Sequence, residues 1–267
     1  MIVQFAGGLC NQMFQFAFGQ SISAKRNEPV LYWKKDLDRG CARAYSLGAF
    51  CGTPQFSIAE PTSAWVERTF KFDPEVYDAP YGSYFVGNWQ TEKYFDIPVV
   101  RALFQLCNPV SAATARVADE ISSRSHHSCF VHIRRTDYLL PNTAAYHGNM
   151  TMDYYQRAMA YVRERDPNVT FFVFSDDPAW CRSNFPGLRV VDHNKMGSGD
   201  NGPGQEHEDL HLMSLCRHAI FPNSSFGWWA AWLGDTQENR IVIAPKQWFR
   251  TPTLDFSDVV PERWVKM

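Results

Sequence analysis

The side chains best suited to chemistry in this chain gather in three short stretches: His132-Ile-Arg-Arg-Thr-Asp137, Ser175-Asp-Asp177 and Asn223-Ser-Ser-Phe226. A guanidinium fork matches two oxygens of a phosphate, and open α/β sheets bind ligands beyond the carboxyl ends of their strands. Alternate side chains of an extended segment share a face, so His132 goes with Arg134, and Arg135 with Asp137, the last two placed to form an ion pair. A plain surface salt-bridge cluster would read the same way. At Asn223 to Phe226 the free N–H groups of a helix start, with two hydroxyls beside them, form an anion site, or simply a serine-capped helix. The adjacent carboxylates Asp176 and Asp177 resemble a D-x-D metal element but lack its spacing. A helix N-terminal acidic pair before Pro178, or a contact to a ligand hydroxyl, fits them better. Glu206, Glu208 and Asp209 are ambiguous in the same sense. His126, His127, His147, His193 and His218 have no metal or triad spacing, and no G-x-S-x-G elbow occurs.

These residues need elements to hold them. Cys129 to Ile133 is a short apolar run broken by His132, which predicts a buried strand. Beyond it the alternation is regular. Thr151 caps a helix whose Met152, Tyr155, Met159 and Val162 recur at helical spacing; a strand from Val169 to Phe174 and a short helix from Pro178 to Asn184 follow. Arg189 to Val191 and Ala219 to Phe221 are strands, Glu208 to Arg217 and Ser224 to Leu233 helices, and Ile241 to Ala244 is the last strand. Repeated β-α-β units imply a parallel sheet covered on both faces, a Rossmann-like domain.

The first half is less regular. Ile2 to Phe5 reads as a strand, Gly7-Gly8 as a turn, and Met13 to Ile22 as an apolar helix. Its glycines follow neither G-x-G-x-x-G nor the Walker pattern, so a dinucleotide or triphosphate site is unsupported. Asn11 and Gln12 stand at the helix start as caps or ligand contacts. Val30 to Trp33 and Tyr84 to Gly87 are strands, while 36–81 is punctuated by glycines and prolines and reads as loops and short elements. Trp89 and Tyr94 suit either a sugar platform or the core. Ala112 to Ser123 is a helix, and the polar break 122–128 marks a domain boundary.

Composition narrows the function. Formal net charge is −2, from 26 basic and 28 acidic residues, so no nucleic-acid or polybasic membrane surface is indicated. Phosphate binding must then be local. Seven scattered cysteines without C-x-x-C fit free thiols in a reducing cytosol. No signal h-region or membrane-spanning run appears, so a cytoplasmic protein without a membrane segment is expected.

Taken together, Gly7-Gly-Leu-Cys-Asn-Gln-Met-Phe-Gln-Phe-Ala17, Asn88-Trp-Gln-Thr-Glu-Lys-Tyr-Phe95, His132-Ile-Arg-Arg-Thr-Asp137, Phe174-Ser-Asp-Asp177, Glu208-Asp-Leu-His-Leu-Met213 and Asn223-Ser-Ser-Phe-Gly-Trp-Trp229 resemble the glycosyltransferase family 11 α1,2-fucosyltransferases. The segments run in family order over nearly the whole chain. One departure is Cys10, where the family usually has glycine, a change expected to narrow the loop's freedom.

The resemblance implies a GT-B-like α/β fold, with two Rossmann-like domains facing a central cleft: residues 1–123 on the acceptor side and 124–267 binding GDP-fucose. It implies inverting transfer of L-fucose from GDP-β-L-fucose to the 2-hydroxyl of a terminal β-galactoside, with no metal and no other cofactor. His132 and Arg134 would stabilise the departing diphosphate, with Ser224, Ser225 and Phe226 as further donor contacts. Asp176, or Glu208, would hold ribose or guanine. Asp137 is the candidate base, by position, and Asn11 would orient acceptor or phosphate. Gln12 and Trp89 would contact the acceptor. Two alternatives stay open: a metal-dependent transferase using Asp176 and Asp177, and a sugar- or nucleotide-binding protein without turnover.

Overall fold

The structure is a computed structural model that describes residues 1–38, 44–124, 126–194, 204–236 and 239–267. The chain divides into two compact units, one built on Met1–Pro109 with Leu254–Pro261, the other on the described residues of Val110–Gly197, Gly204–Thr253 and Glu262–Met267. The sequence sets the boundary at 123/124. It falls earlier because the helix Ala112–Ser122 is tied by its first turn to Glu208 of the second unit.

In the first unit the strands β1 (Ile2–Gln4), β2 (Leu31–Trp33), β3 (Ala64–Val66) and β4 (Tyr84–Val86) form a parallel sheet in the order β2-β1-β4-β3. Helix α1 (Leu9–Arg26) follows β1, and short helices α2 (Lys35–Asp38) and α3 (Ile97–Leu103) complete the unit. Gly7, at φ +75°, makes the turn from β1 into α1, which begins right after Gly8. Left-handed backbone of this kind favours glycine. Cys10 lies inside the first turn of α1 and is buried, so replacing the family's glycine there does not touch the turn. Strand β3 was missed in the sequence. It has three residues at a sheet edge with Ala64 and Val66 exposed, and so carries no apolar signature.

The second unit contains β5 (Ser128–Ile133), β6 (Thr170–Ser175), β7 (Arg189–Val191), β8 (His218–Ile220), β9 (Val242–Ala244) and β10 (Val265–Lys266). All pair in parallel, in the order β10-β9-β8-β5-β6-β7. The helices are α4 (Ala112–Ser122), α5 (Pro141–His147), α6 (Met152–Arg165), α7 (Pro178–Asn184), α8 (Glu206–Leu215) and α9 (Ser225–Leu233). Strand β5 is buried along its whole length, as a central parallel strand should be. Thr151 caps α6, its hydroxyl accepting from the Tyr154 N–H at 3.3 Å, and that helix packs Tyr155, Ala158, Met159 and Val162 onto the sheet. The predicted strand–helix alternation of this half holds; the helix α5 and the two-residue β10 were unforeseen. None of the six described cysteines is in a disulfide, and no described helix is long and apolar enough to cross a membrane.

Candidate functional site

Parallel pairing brings the carboxyl ends of β8, β5 and β6 side by side. The register sets His132 opposite Phe174 and Ile133 opposite Ser175, so the segments that follow, Arg134 to Asp137 and Asp176-Asp177, leave the sheet as neighbours. From β8 the chain passes through Phe221 to Ser224 into α9. This edge holds all three polar stretches.

Arg134 is its centre. Nε and one Nη donate to the two oxygens of Asp137, each at 2.8 Å, and Nε lies 3.3 Å from Asp176 Oδ2. Burial opposes the guanidinium charge, but Asp137 and Asp176 outweigh it and hold its pKa above the usual value. This corrects two expectations. Arg135 does not pair with Asp137, because extended geometry ends at Ile133 and Asp137 opens a 3₁₀ turn that sets it over Arg134, three residues back. Asp137, the expected base, grips the arginine with both oxygens. Arg135 instead donates to Asp177 at 3.2 Å and lies 3.7 Å over the Trp180 ring.

Asp176 is also redirected from its expected ribose or guanine contact. Its oxygens accept from the N–H groups of Arg135 and Thr136 at 2.9 and 3.1 Å and from the Thr136 hydroxyl at 2.6 Å, which fixes the loop carrying Arg134. Asp177 caps α7 by accepting from the Trp180 N–H. Glu208 is buried, and its carboxylate accepts from the Ser111 N–H, the Ser111 hydroxyl and the Thr114 hydroxyl, which commits it to the start of α4.

His132 is 4% exposed, and burial, then the nearby Arg134 charge, hold its pKa down to about 3. The ring is therefore neutral near pH 7. It sits 5.4 Å from the Phe226 ring, and its Nδ1 is buried with no hydrogen-bond partner. Phe226 lies in the first turn of α9, so this contact sets the helix start beside the β5 edge. The N–H groups of that first turn have no partner within the helix. Ser224 is buried and its side chain makes no cap bond; Ser225 and Phe226 are partly exposed. The lead-in is rigid: Tyr138 donates to Asn223 O at 2.9 Å, Tyr154 to Phe221 O at 2.6 Å, and Asn223 Nδ2 to His147 O and Trp248 O. Behind it Trp228, Trp229 and Trp232 are buried. Arg134, His132 and the α9 start thus share one preorganised edge.

In the first unit, the residues expected to touch an acceptor are corrected. Gln12 is fully buried: Nε2 donates to Gly7 O and Ala44 O, and Oε1 accepts from the Ser46 N–H. Trp89 is 1% exposed, stacked at 4.1 Å on Phe18 and edge-on to Tyr94 and Phe85, and is core rather than platform. Asn11 Oδ1 accepts from Gln90 Nε2 at 3.1 Å.

A buried carboxylate that the sequence did not single out is Glu67, directly after β3. Its carboxylate accepts from the N–H groups of Asn88 at 2.7 Å and Trp89 at 3.1 Å. Burial pushes its pKa up to about 7 against the pull of those two bonds. Trp89 is held at φ +57°, a conformation bulky residues rarely adopt, and Glu67 receives its N–H. Gln15, on α1, ties the same edge together by donating to Gly87 O and accepting from the Ala6 N–H. A glutamate after three residues of edge strand gives no periodic signal.

Residues 83–267 match the profile of glycosyl transferase family 11. An α-1,2-colitosyltransferase of Escherichia coli is 33% identical over 100% of this chain and 98% of its own. Bovine galactoside α-(1,2)-fucosyltransferase 1 is 36% identical over 40% of this chain and 29% of its own. Among solved structures, the NodZ α-1,6-fucosyltransferase in a crystal soaked with GDP-fucose superposes with a TM-score of 0.51 at 16% identity, over 87% of this chain and 91% of that one. That likeness extends to the fold, the GT-B-like α/β class.

Proposed function

The chain belongs to glycosyl transferase family 11, and on that premise we propose inverting transfer of L-fucose from GDP-β-L-fucose to the 2-hydroxyl of a terminal β-galactoside. The observation that carries this reading is the single edge holding the Arg134 fork and the open first turn of α9, joined by the His132–Phe226 contact. As the glycosidic bond breaks, negative charge develops on the β-phosphate of the departing GDP. A fixed guanidinium and aimed N–H groups stabilise that charge without reorganising. His132, being neutral, contributes a polar edge and a shaped wall, and Arg134 contributes the charge.

Metal-free transfer is part of the proposal. Asp176 and Asp177 spend their oxygens on Arg135, Thr136 and the start of α7, which supports a diphosphate neutralised by protein groups rather than by a cation. The donor has a second reading, favoured by the full-length relative with colitosyl activity in its name. Colitose is fucose without the 3-hydroxyl, and the same anomeric chemistry serves both sugars.

The test is transfer to lactose from GDP-fucose and from GDP-colitose, in EDTA, with the product linkage read by NMR. An α1,2-linked product from GDP-fucose and none with Arg134→Ala is the expected result. Product from the folded Arg134→Ala protein, or product only after manganese is added, would overturn the assignment.

A further inference from the structure

We propose that Cys51 and Cys107, both in the first unit, form a reversible dithiol–disulfide pair, oxidised by a small-molecule disulfide of the glutathione class. The inference stands apart from the fucosyl-transfer reading and needs no part of the donor edge.

Local geometry brings the two residues together. After the 3₁₀ turn Leu47–Ala49, Phe50 bridges Leu106 in antiparallel register, just beyond the end of α3. The bridge is tied on both sides: the Cys51 N–H donates to Gln105 O at 2.9 Å and the Cys107 N–H to Ala49 O at 3.0 Å. Alternate residues of extended segments share a face, so Cys51 and Cys107 stand as diagonal neighbours on the face opposite Phe50 and Leu106. Phe50 is buried, edge-on to Phe104 with ring centres 5.5 Å apart, while both cysteines are exposed. Gly52 keeps the two segments close, since a Cβ there would lie 2.7 Å from the Phe16 ring and 3.0 Å from Leu103 O. The thiols themselves meet, that of Cys107 being hydrogen-bonded to Cys51. The other described cysteines, Cys10, Cys129, Cys181 and Cys216, are buried and closed to a dissolved oxidant.

The chemistry follows from that contact. It raises the pKa of Cys107, so Cys107 keeps its proton and supports a thiolate on Cys51, the form that attacks. In the first exchange the Cys51 thiolate attacks one sulfur of glutathione disulfide. A protein–glutathione S–S bond forms as the old one breaks, and one glutathione leaves as a thiolate. Cys107 then gives its proton to water and attacks the Cys51 sulfur, which expels the second glutathione. The protein loses two electrons and two protons, and the oxidant is reduced to two thiols. The resulting crosslink closes the long loop from 51 to 107, and long loops gain most from closure. It also tethers the segment whose Ala44 carbonyl and Ser46 N–H hold Gln12 in α1.

The experiment incubates the whole chain with glutathione disulfide, alkylates the remaining thiols, and maps peptides without reduction. Thermal unfolding and hydrogen exchange are followed on the same samples. The expected product is a Cys51–Cys107 crosslink that dithiothreitol reverses, a Tm raised by about 5 °C or more, and slower exchange over 44–52 in the oxidised protein. Cys107→Ser should stop at the mixed disulfide on Cys51, with no rise in Tm. Both positions are exposed, so these variants fold as wild type does. Glutathione retained on both cysteines of the wild-type protein overturns the pairing, as does a crosslink from Cys51 to Cys41 or to a second chain. A crosslink that leaves Tm and exchange over 44–52 unchanged overturns its action as a tether.

Discussion

Gly227 offers the sharpest perturbation of the donor edge, because it lies in the first turn of α9 against two elements that cannot yield. A Cβ at this position would lie 2.9 Å from both His132 Nδ1 and Phe221 Cγ, and nearer still to Phe221 Cβ. None of these is the tip of a flexible chain: His132 is locked in β5, and Phe221 is buried at the end of β8. Comfortable contact needs roughly 3.5–4.0 Å, so Gly227→Ala must displace the helix start by roughly 1–1.5 Å to clear the nearest of these atoms, Phe221 Cβ. Overpacking of this size costs about 1–3 kcal/mol, which lowers Tm by about 2–4 °C per kcal/mol in a unit of this size. The same shift moves the first-turn N–H groups away from a bound phosphate. Losing one charge-assisted hydrogen bond there costs about 1.5–3 kcal/mol, or roughly a 10- to 100-fold loss of GDP affinity. Calorimetric titration with GDP, alongside thermal unfolding, reads both effects. A variant that is destabilised yet binds GDP as tightly as wild type would refute the α9 start as the phosphate site. A variant unchanged in both would refute the close packing itself.

Three further outcomes are expected. Glu208→Ala strips the acceptor from the Ser111 N–H and from two hydroxyls, and should destabilise the protein by roughly 2–3 kcal/mol in urea unfolding while leaving GDP affinity unchanged; a large loss of GDP binding would return Glu208 to the donor site. His132 takes a proton near 6.5 when unfolded but only near about 3 when folded, so its burial lets stability fall as pH drops through that window. The effect is on the order of 4–5 kcal/mol at most, and urea midpoints at pH 7 and 4.5 should converge more closely in His132→Gln than in wild type. Asp176→Asn turns an N–H₂ toward the donors of Arg135 and Thr136, loosens the loop carrying Arg134, and should reduce kcat by about 10- to 100-fold. Activity of that variant restored by manganese, or wild-type activity lost in EDTA, would instead favour the metal-dependent reading.

The second unit was legible because its signals are local. Helical spacing from Met152 to Val162, the Thr151 cap, Pro178 after two aspartates and the apolar run before Arg134 each fix an element within a few residues of its observed bounds. The parallel arrangement followed from alternation alone, and it brought Arg134 and the α9 start to one edge. What sequence spacing did not determine was which polar group each charge answers to. Arg134 rather than Arg135 holds Asp137, because a 3₁₀ turn replaces the extended geometry that parity assumes. Glu208 faces α4 because two helices distant in sequence pack together. Trp89 is buried because it stacks on Phe18 of α1, and Gln12 because Ala44 and Ser46 close over it, a matter of tertiary contact that no composition reveals. Glu67 became visible only when β3 was laid beside β4, which set a lone carboxylate against the N–H groups of a kinked Trp89. Local pattern determined the elements of this protein, and long-range packing assigned its charges their partners, since an ion pair depends on register and burial that adjacent residues do not encode.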